Sequence, residues 1–178
     1  GADANELSES PGISNDGRYV VFHSEATNLV ATPVAPAGIS QIYLKDNLTG
    51  EVRMISQLGG VAGNAESRYP VISANGDLDT TTNTPRFYIA FQSAATNLVA
   101  GNGINDTNQQ TDVFLYDVAN GVTKMISVPT GAPFGQIGNG GSFLPSISGD
   151  GRLIAFESRA TNLLGKNTFG NNIDSNGR

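Results

Sequence analysis

The 178-residue sequence has no cysteine and no tryptophan, and its single histidine is His23. Without cysteine there is no disulfide framework, no thiolate metal site and no cysteine nucleophile, and the redox compartment stays open. Charge is also sparse: Asp, Glu, Lys and Arg make up 15% of residues, against roughly 25% in ordinary globular domains. The 10 Lys and Arg are outnumbered by 16 Asp and Glu, for a formal net charge of -6. An acidic chain with no basic run lacks the electrostatic footprint needed for nucleic acid or an anionic membrane surface, so neither is expected as a partner. No apolar run approaches the roughly 18 residues of a membrane span. The opening GADANELSES has neither the basic nor the apolar region of a signal peptide. Gly, Asn, Ser and Thr are abundant instead, 69 residues together, on a length that suits one domain with a real core.

The chain is organised by repeats. SPGISNDGRYVVFHSEATNLV, residues 10–30, returns as YPVISANGD from Tyr69 followed by FYIAFQSAATNLV up to Val99, and again as LPSISGDGRLIAFESRATNLL, residues 144–164. In each copy a phenylalanine precedes a leucine by seven positions: Phe22 and Leu29, Phe91 and Leu98, Phe156 and Leu163. The second copy carries a ten-residue insertion, LDTTTNTPRF, at about 78–87. A second half of the unit also recurs, as QIYLKDNLTGEVRMIS (41–56) and DVFLYDVANGVTKMIS (112–127), offset by 71. The third copy would reach this half at about 175–185, so the sequence breaks off within a unit at Arg178.

Within each unit, short runs rich in Val, Ile, Phe and Tyr alternate with Gly, Asn, Asp and Pro, the pattern of strands and tight turns. Asp16-Gly17 and Asp150-Gly151 should turn the first hairpin, and Thr49-Gly50 and Asn120-Gly121 the one between strands three and four, since such turns need positive φ. Each unit is therefore expected to be a four-stranded antiparallel meander. Runs such as Tyr-Val-Val-Phe (19–22) are apolar at successive positions, so both faces of each sheet should be covered. No stretch has sustained helical periodicity, and almost no helix is expected.

A proline, a short strand ending in Ser, then Asp-Gly-Arg, an apolar strand ending in Phe-x-Ser, and later Asp-Val-Phe-Leu-Tyr-Asp: this order resembles the TolB-like β-propeller repeat, itself similar to the WD-repeat propellers. The likeness runs from Ser10 to Leu164. It implies an all-β fold of four-stranded antiparallel blades, about two and a half in this chain: blade 1 at about 10–56, blade 2 at about 69–127, and half of blade 3 at about 144–178. A closed ring needs about four to eight blades. The chain is thus expected to be a piece of a longer propeller, its missing blades supplied by the same gene product or by another chain. The Ser-x-Ala-Thr-Asn-Leu extension at 24–29 resembles a bacterial extracytoplasmic subgroup, which implies a periplasmic or extracellular location. Many relatives of this type bind or scaffold, and others are attached to hydrolases.

Few residues stand out as chemistry. Ser24, Thr27 and Asn28 recur as Ser93, Thr96 and Asn97 and as Ser158, Thr161 and Asn162. They could ring a ligand, but such residues at a strand end commonly satisfy turn backbone. His23 aligns with Gln92 and Glu157, which points to a solvated strand end, and no G-x-S-x-G elbow accompanies it. Gly165-Lys166 is followed by Asn167, so no phosphate loop is present. Asp106, Asn108 and Asp112 place hard oxygen donors on one loop, the ligand type calcium prefers, and 172–178 has a related Asn/Asp pattern. Calcium is accordingly the one cofactor considered. Asn47-Leu48-Thr49 and Asn105-Asp106-Thr107 are formal glycosylation acceptors. The polar insertion with Thr80 to Pro85 breaks the repeat symmetry and is a candidate contact loop.

Three functions follow as expectations. The first is a non-catalytic binding or scaffold module contacting a protein or a surface glycan. The second is the propeller portion of a hydrolase whose catalytic residues lie elsewhere, with Asp112 or Asp150 as the carboxylates to consider here. The third is a calcium-stabilised cell-surface module.

Overall fold

The computed structural model describes residues 3–74, 77–78, 85–99, 105–131 and 135–164. It is all-β and antiparallel: among the described residues there is no helix, and so none long and apolar enough to cross a membrane. Strands β1 (Ser8–Ile13), β2 (Tyr19–Ser24), β3 (Gln41–Asp46) and β4 (Val52–Met54) form a first sheet in chain order. A small ribbon, β5 (Gln57–Leu58) and β6 (Val61–Ala62), leads to β7 (Ser67–Ile72). The insertion extends a second ribbon of β8 (Asp77–Leu78) and β9 (Pro85–Arg86), paired Asp77 to Arg86 and Leu78 to Pro85. Its tip, 79–84, lies outside the described residues. Then β10 (Tyr88–Ser93), β11 (Asp112–Asp117) and β12 (Val122–Met125) join β7 in a second sheet, again in chain order. Strands β13 (Ser142–Ile147) and β14 (Ile154–Ser158) pair as the start of a third. The expected second half of the third copy lies outside the described residues.

The turns form where glycine permits them. Gly17 and Gly151 sit at φ 73 and 72, and Gly50 and Gly121 at φ 75 and 66, conformations a Cβ would strain. The repeated serine that closes the first strand does the same work in each unit. The hydroxyls of Ser14, Ser73 and Ser148 accept hydrogen bonds from the backbone N–H of Tyr19, Tyr88 and Leu153 at 2.9 to 3.0 Å, closing the hairpin or the insertion loop.

A bulge recurs at the repeated prolines. Ser10, Tyr69 and Leu144, each just before Pro11, Pro70 or Pro145, have φ of 50, 53 and 50, and the ladder slips at the same place in β1, β7 and β13. Proline cannot donate to a ladder, and a bulge is one of the few places a sheet accommodates it. The positive φ of a leucine or tyrosine costs on the order of 1 kcal/mol, a strain the surrounding pairing must hold.

The sheets pack face to face with one geometry at both junctions. Ser67 N–H donates to Ser40 O at 2.8 Å between the first and second units, and Ser142 N–H to Thr111 O at 2.7 Å between the second and third. The hairpin turns are linked in the same way: Asn15 N–H to Ala74 O at 3.3 Å, and Ala74 N–H to Gly149 O at 2.9 Å. The main core lies between the first two sheets, where Tyr19, Val21, Ile42 and Leu44 meet Ile89, Phe91, Phe114 and Met125. Phe87, the last residue of the insertion, is only 1% exposed and stands 4.6 Å from the Tyr19 ring, so this end of the insertion belongs to the core. The opposite face of the first sheet is different. Tyr43 and Met54 are buried there beneath Ala35 and Ala62, but Phe22, Leu29 and Val52 are only partly covered and border an open hollow. The apolar run at 19–22 suggested cover on both faces, yet a full sheet covers only one.

Candidate functional site

The repeated polar residues are consumed inside each unit. Asn64 Nδ2 donates to Thr96 Oγ1 and its Oδ1 accepts from Thr96 N–H, both at 2.9 Å, while Asn97 Oδ1 accepts from Asn64 N–H and Asn97 Nδ2 donates to Ala62 O. The same four bonds join Asn5 to Thr27 and Asn28, with Asp3 O as the last acceptor. They also join Asn139 to Thr161 and Asn162, with Ile137 O. Ser24, Ser93 and Ser158 cap the following turn by accepting from Ala26, Ala95 and Ala160 N–H at 3.0 to 3.1 Å. These side chains therefore pin the strand entry to the strand exit. The asparagines of this bracket were readable as Asn-x-x-Ser, three residues before Ser8, Ser67 and Ser142. Asn64→Ala should cost about 1–2 kcal/mol, the net value of the two exposed side-chain bonds it removes, read as a shift in the urea midpoint with unchanged slope.

His23 is not a solvated strand end. It is 3% exposed, and its ring lies edge-on to Tyr69 of the next unit with centroids 5.8 Å apart. At the following junction Gln92 occupies the same place, its Oε1 accepting from Leu144 N–H at 2.9 Å. The position thus touches the bulge of the neighbouring sheet, which a single unit's sequence does not reveal. Burial, then the nearby Arg68 guanidinium, push the imidazole toward the neutral form. Arg68 itself is held by Glu66 at 3.0 Å and, across the junction, by Glu25 at 3.2 Å. Asp150, one of the carboxylates considered for glycoside cleavage, is a turn residue that accepts from Ser148 Oγ and Arg152 N–H. These bonds lower its pKa, the Ser148 bond first.

Asp106, Asn108 and Asp112 do come together. Asp112 opens β11 and is fully buried; its Oδ1 accepts from Ser127 Oγ at 2.6 Å and its Oδ2 from Asn108 Nδ2 at 2.8 Å. The same Asn108 nitrogen donates to Gly138 O at 2.9 Å, while its oxygen accepts from Gln110 N–H at 2.8 Å. This pattern fixes the amide orientation, so Asn108 turns a donor and not a ligand oxygen toward Asp112. Asp106 is 6% exposed, and among the described residues neither of its buried carboxylate oxygens has a hydrogen-bond partner. Burial first, then repulsion from Asp112, push its pKa up to about 6; the backbone N–H of Asn108 opposes this weakly, without reaching hydrogen-bond geometry. Burial also raises the pKa of Asp112, against the bonds from Ser127 and Asn108.

Two carboxylates are fewer than a full metal shell. Among the described residues no three His, Cys, Asp or Glu side chains gather as ligands, and the related pattern at 172–178 lies outside them. Asn47 is exposed on its hairpin, where its Nδ2 donates to Gly17 O at 3.1 Å. In the other glycosylation pattern the middle residue is the buried Asp106. No protein-family model matches the chain, and no curated protein matches it.

Proposed function

We propose that the chain is a run of successive β-propeller blades of the TolB-like type and works as a non-catalytic scaffold that binds a protein partner, in the periplasm or outside the cell. The observation that carries this reading is the recurrence of the junction. The turn-to-turn bond, the Ser67 or Ser142 bond and the contact from position 23 or 92 to the next bulge repeat from one sheet to the next. A constant step between twisted four-stranded sheets is what a radial array is built from. The repeated polar side chains serve the units themselves, and His23 and Asp150 have structural partners, which leaves the sheet faces as the surface for recognition.

The partner surface is the partly covered face of the first sheet. Phe22 and Leu29 there match Phe91 and Leu98, which in the second sheet are buried against Tyr19, Val21, Ile42 and Leu44. The partner is accordingly a β-sheet carrying a similar apolar face, from a further blade or another protein. In sedimentation velocity the chain should self-associate with rising concentration, and Phe22→Asp should shift it to monomer. A chain that remains monomeric up to its solubility limit would rule out pairing of this face with a second copy of the chain. Ester, peptide and glycoside panels should show no turnover; turnover abolished by replacing His23, Asp112 or Asp150 would make it an enzyme.

A further inference from the structure

The second unit carries a charge that its fold does not require. In the first unit Gln41 occupies the place of Asp112: its Oε1 accepts from Ser56 Oγ at 2.5 Å, and its Nε2 donates to Gly63 O at 2.9 Å. In the second unit Asp112 and Asn108 divide that work, Asp112 accepting from Ser127 Oγ and Asn108 donating to Gly138 O. One neutral side chain therefore suffices for the structure. Counting back six residues from Gln41 gives Ala35, 3% exposed; counting back six from Asp112 gives Asp106, 6% exposed. A methyl group satisfies the first loop, whereas the second buries a carboxylate with both oxygens unpartnered.

A buried carboxylate without donors is disfavoured by several kcal/mol, so something must face it. Among the described residues no cationic side chain acts on either acid; what acts on Asp106 is burial, its neighbour Asp112 and, weakly, the Asn108 backbone N–H. We propose that Asp106 and Asp112 hold a hard divalent cation, with calcium as the ion the site suits best. Both groups offer only oxygen, and together they carry the two negative charges that one divalent ion neutralises. Calcium completes an irregular shell from backbone carbonyls and water, whereas magnesium demands a regular octahedron and retains most of its water, which a buried site cannot house. Asn108 and Ser127 are positioning residues: each donates to Asp112 and leaves Asp106 free to turn both oxygens to the ion. The inference is independent of the scaffold reading, because it concerns one loop and not the stacking of sheets.

The test is thermal unfolding of the whole chain, stripped with chelator and then titrated with calcium chloride or magnesium chloride. The midpoint should rise by about 5 °C or more at a roughly hundredfold excess of calcium over its Kd, and much less with magnesium. Asp106→Ala and Asp112→Gln, which copy Ala35 and Gln41 of the first unit, should fold and show no calcium-dependent rise. Calorimetric titration should find one site per chain in the natural sequence and none in either variant. A midpoint indifferent to calcium and chelator, with no binding heat, overturns the proposal. So does a calcium-dependent rise that persists in Asp106→Ala.

Discussion

Phe91→Ala is expected to lower the unfolding free energy by about 3–5 kcal/mol, whereas Phe22→Ala, the same residue of the preceding repeat, should cost about 1–2 kcal/mol. The two side chains have the same local setting. Each follows two apolar residues in a strand, and each stacks on an aromatic of the next strand, Phe91 on Phe114 at 5.8 Å and Phe22 on Tyr43 at 5.7 Å. What differs is the layer above. Phe91 is fully buried between the first and second sheets, so truncation removes a ring's worth of transfer free energy and leaves a cavity that rigid strands on both sides cannot close. Phe22 borders an open hollow, so water fills the space its ring leaves and the cavity contribution is small. Urea denaturation of the two variants decides the matter. Equal losses would mean that the first sheet's outer face is covered in solution, and a partner sheet saturating that face should raise the cost of Phe22→Ala toward that of Phe91→Ala.

The contrast also marks how far the sequence was legible. Strands and hairpins were visible because they depend on local chemistry repeated three times: Asp-Gly turns, apolar triplets and a serine that closes the first strand. The bulges were hidden in plain view, since Pro11, Pro70 and Pro145 announce them only once a strand is known to run through. Contacts across units were not legible. His23, read against Gln92 and Glu157, suggests a polar strand end, yet its burial comes from Tyr69 on a different sheet. Phe87 looks like part of a polar insertion and is core because Tyr19 waits across the junction. The candidate cation loop was partly legible. Its Asp-x-Asn-x-x-x-Asp spacing picked out three residues that the fold does bring together, but their roles depend on Gly138 and Ser127, which lie 30 and 15 residues away from Asn108 and Asp112 respectively.

In chelator, Asp106→Ala is expected to gain about 2 kcal/mol of stability on the natural sequence between pH 4 and pH 7. The sign follows from the direction of the shift. Burial raises the Asp106 pKa from 3.8 to about 6 in the folded chain, so the folded state holds its proton more tightly than the unfolded one. The stability this confers is complete below the unfolded pKa of about 4 and is lost as pH rises through about 6. Asp112 is shifted in the same direction, but it is present in both proteins and cancels in the comparison. His23 has its pKa lowered and therefore loses stability in acid, but it does so in both proteins and cancels in the comparison. Replacing Asp106 by alanine removes the acid that must ionise without partners, leaving the side chain that the first repeat carries at the matching place. The usual outcome of a buried substitution is a loss; here a gain is required, and its growth between pH 4 and pH 7 in paired denaturation curves separates the charge from any packing effect. Saturating calcium should narrow the gap by stabilising only the natural sequence, because an ion held by Asp106 and Asp112 supplies the positive charge that the folded chain lacks.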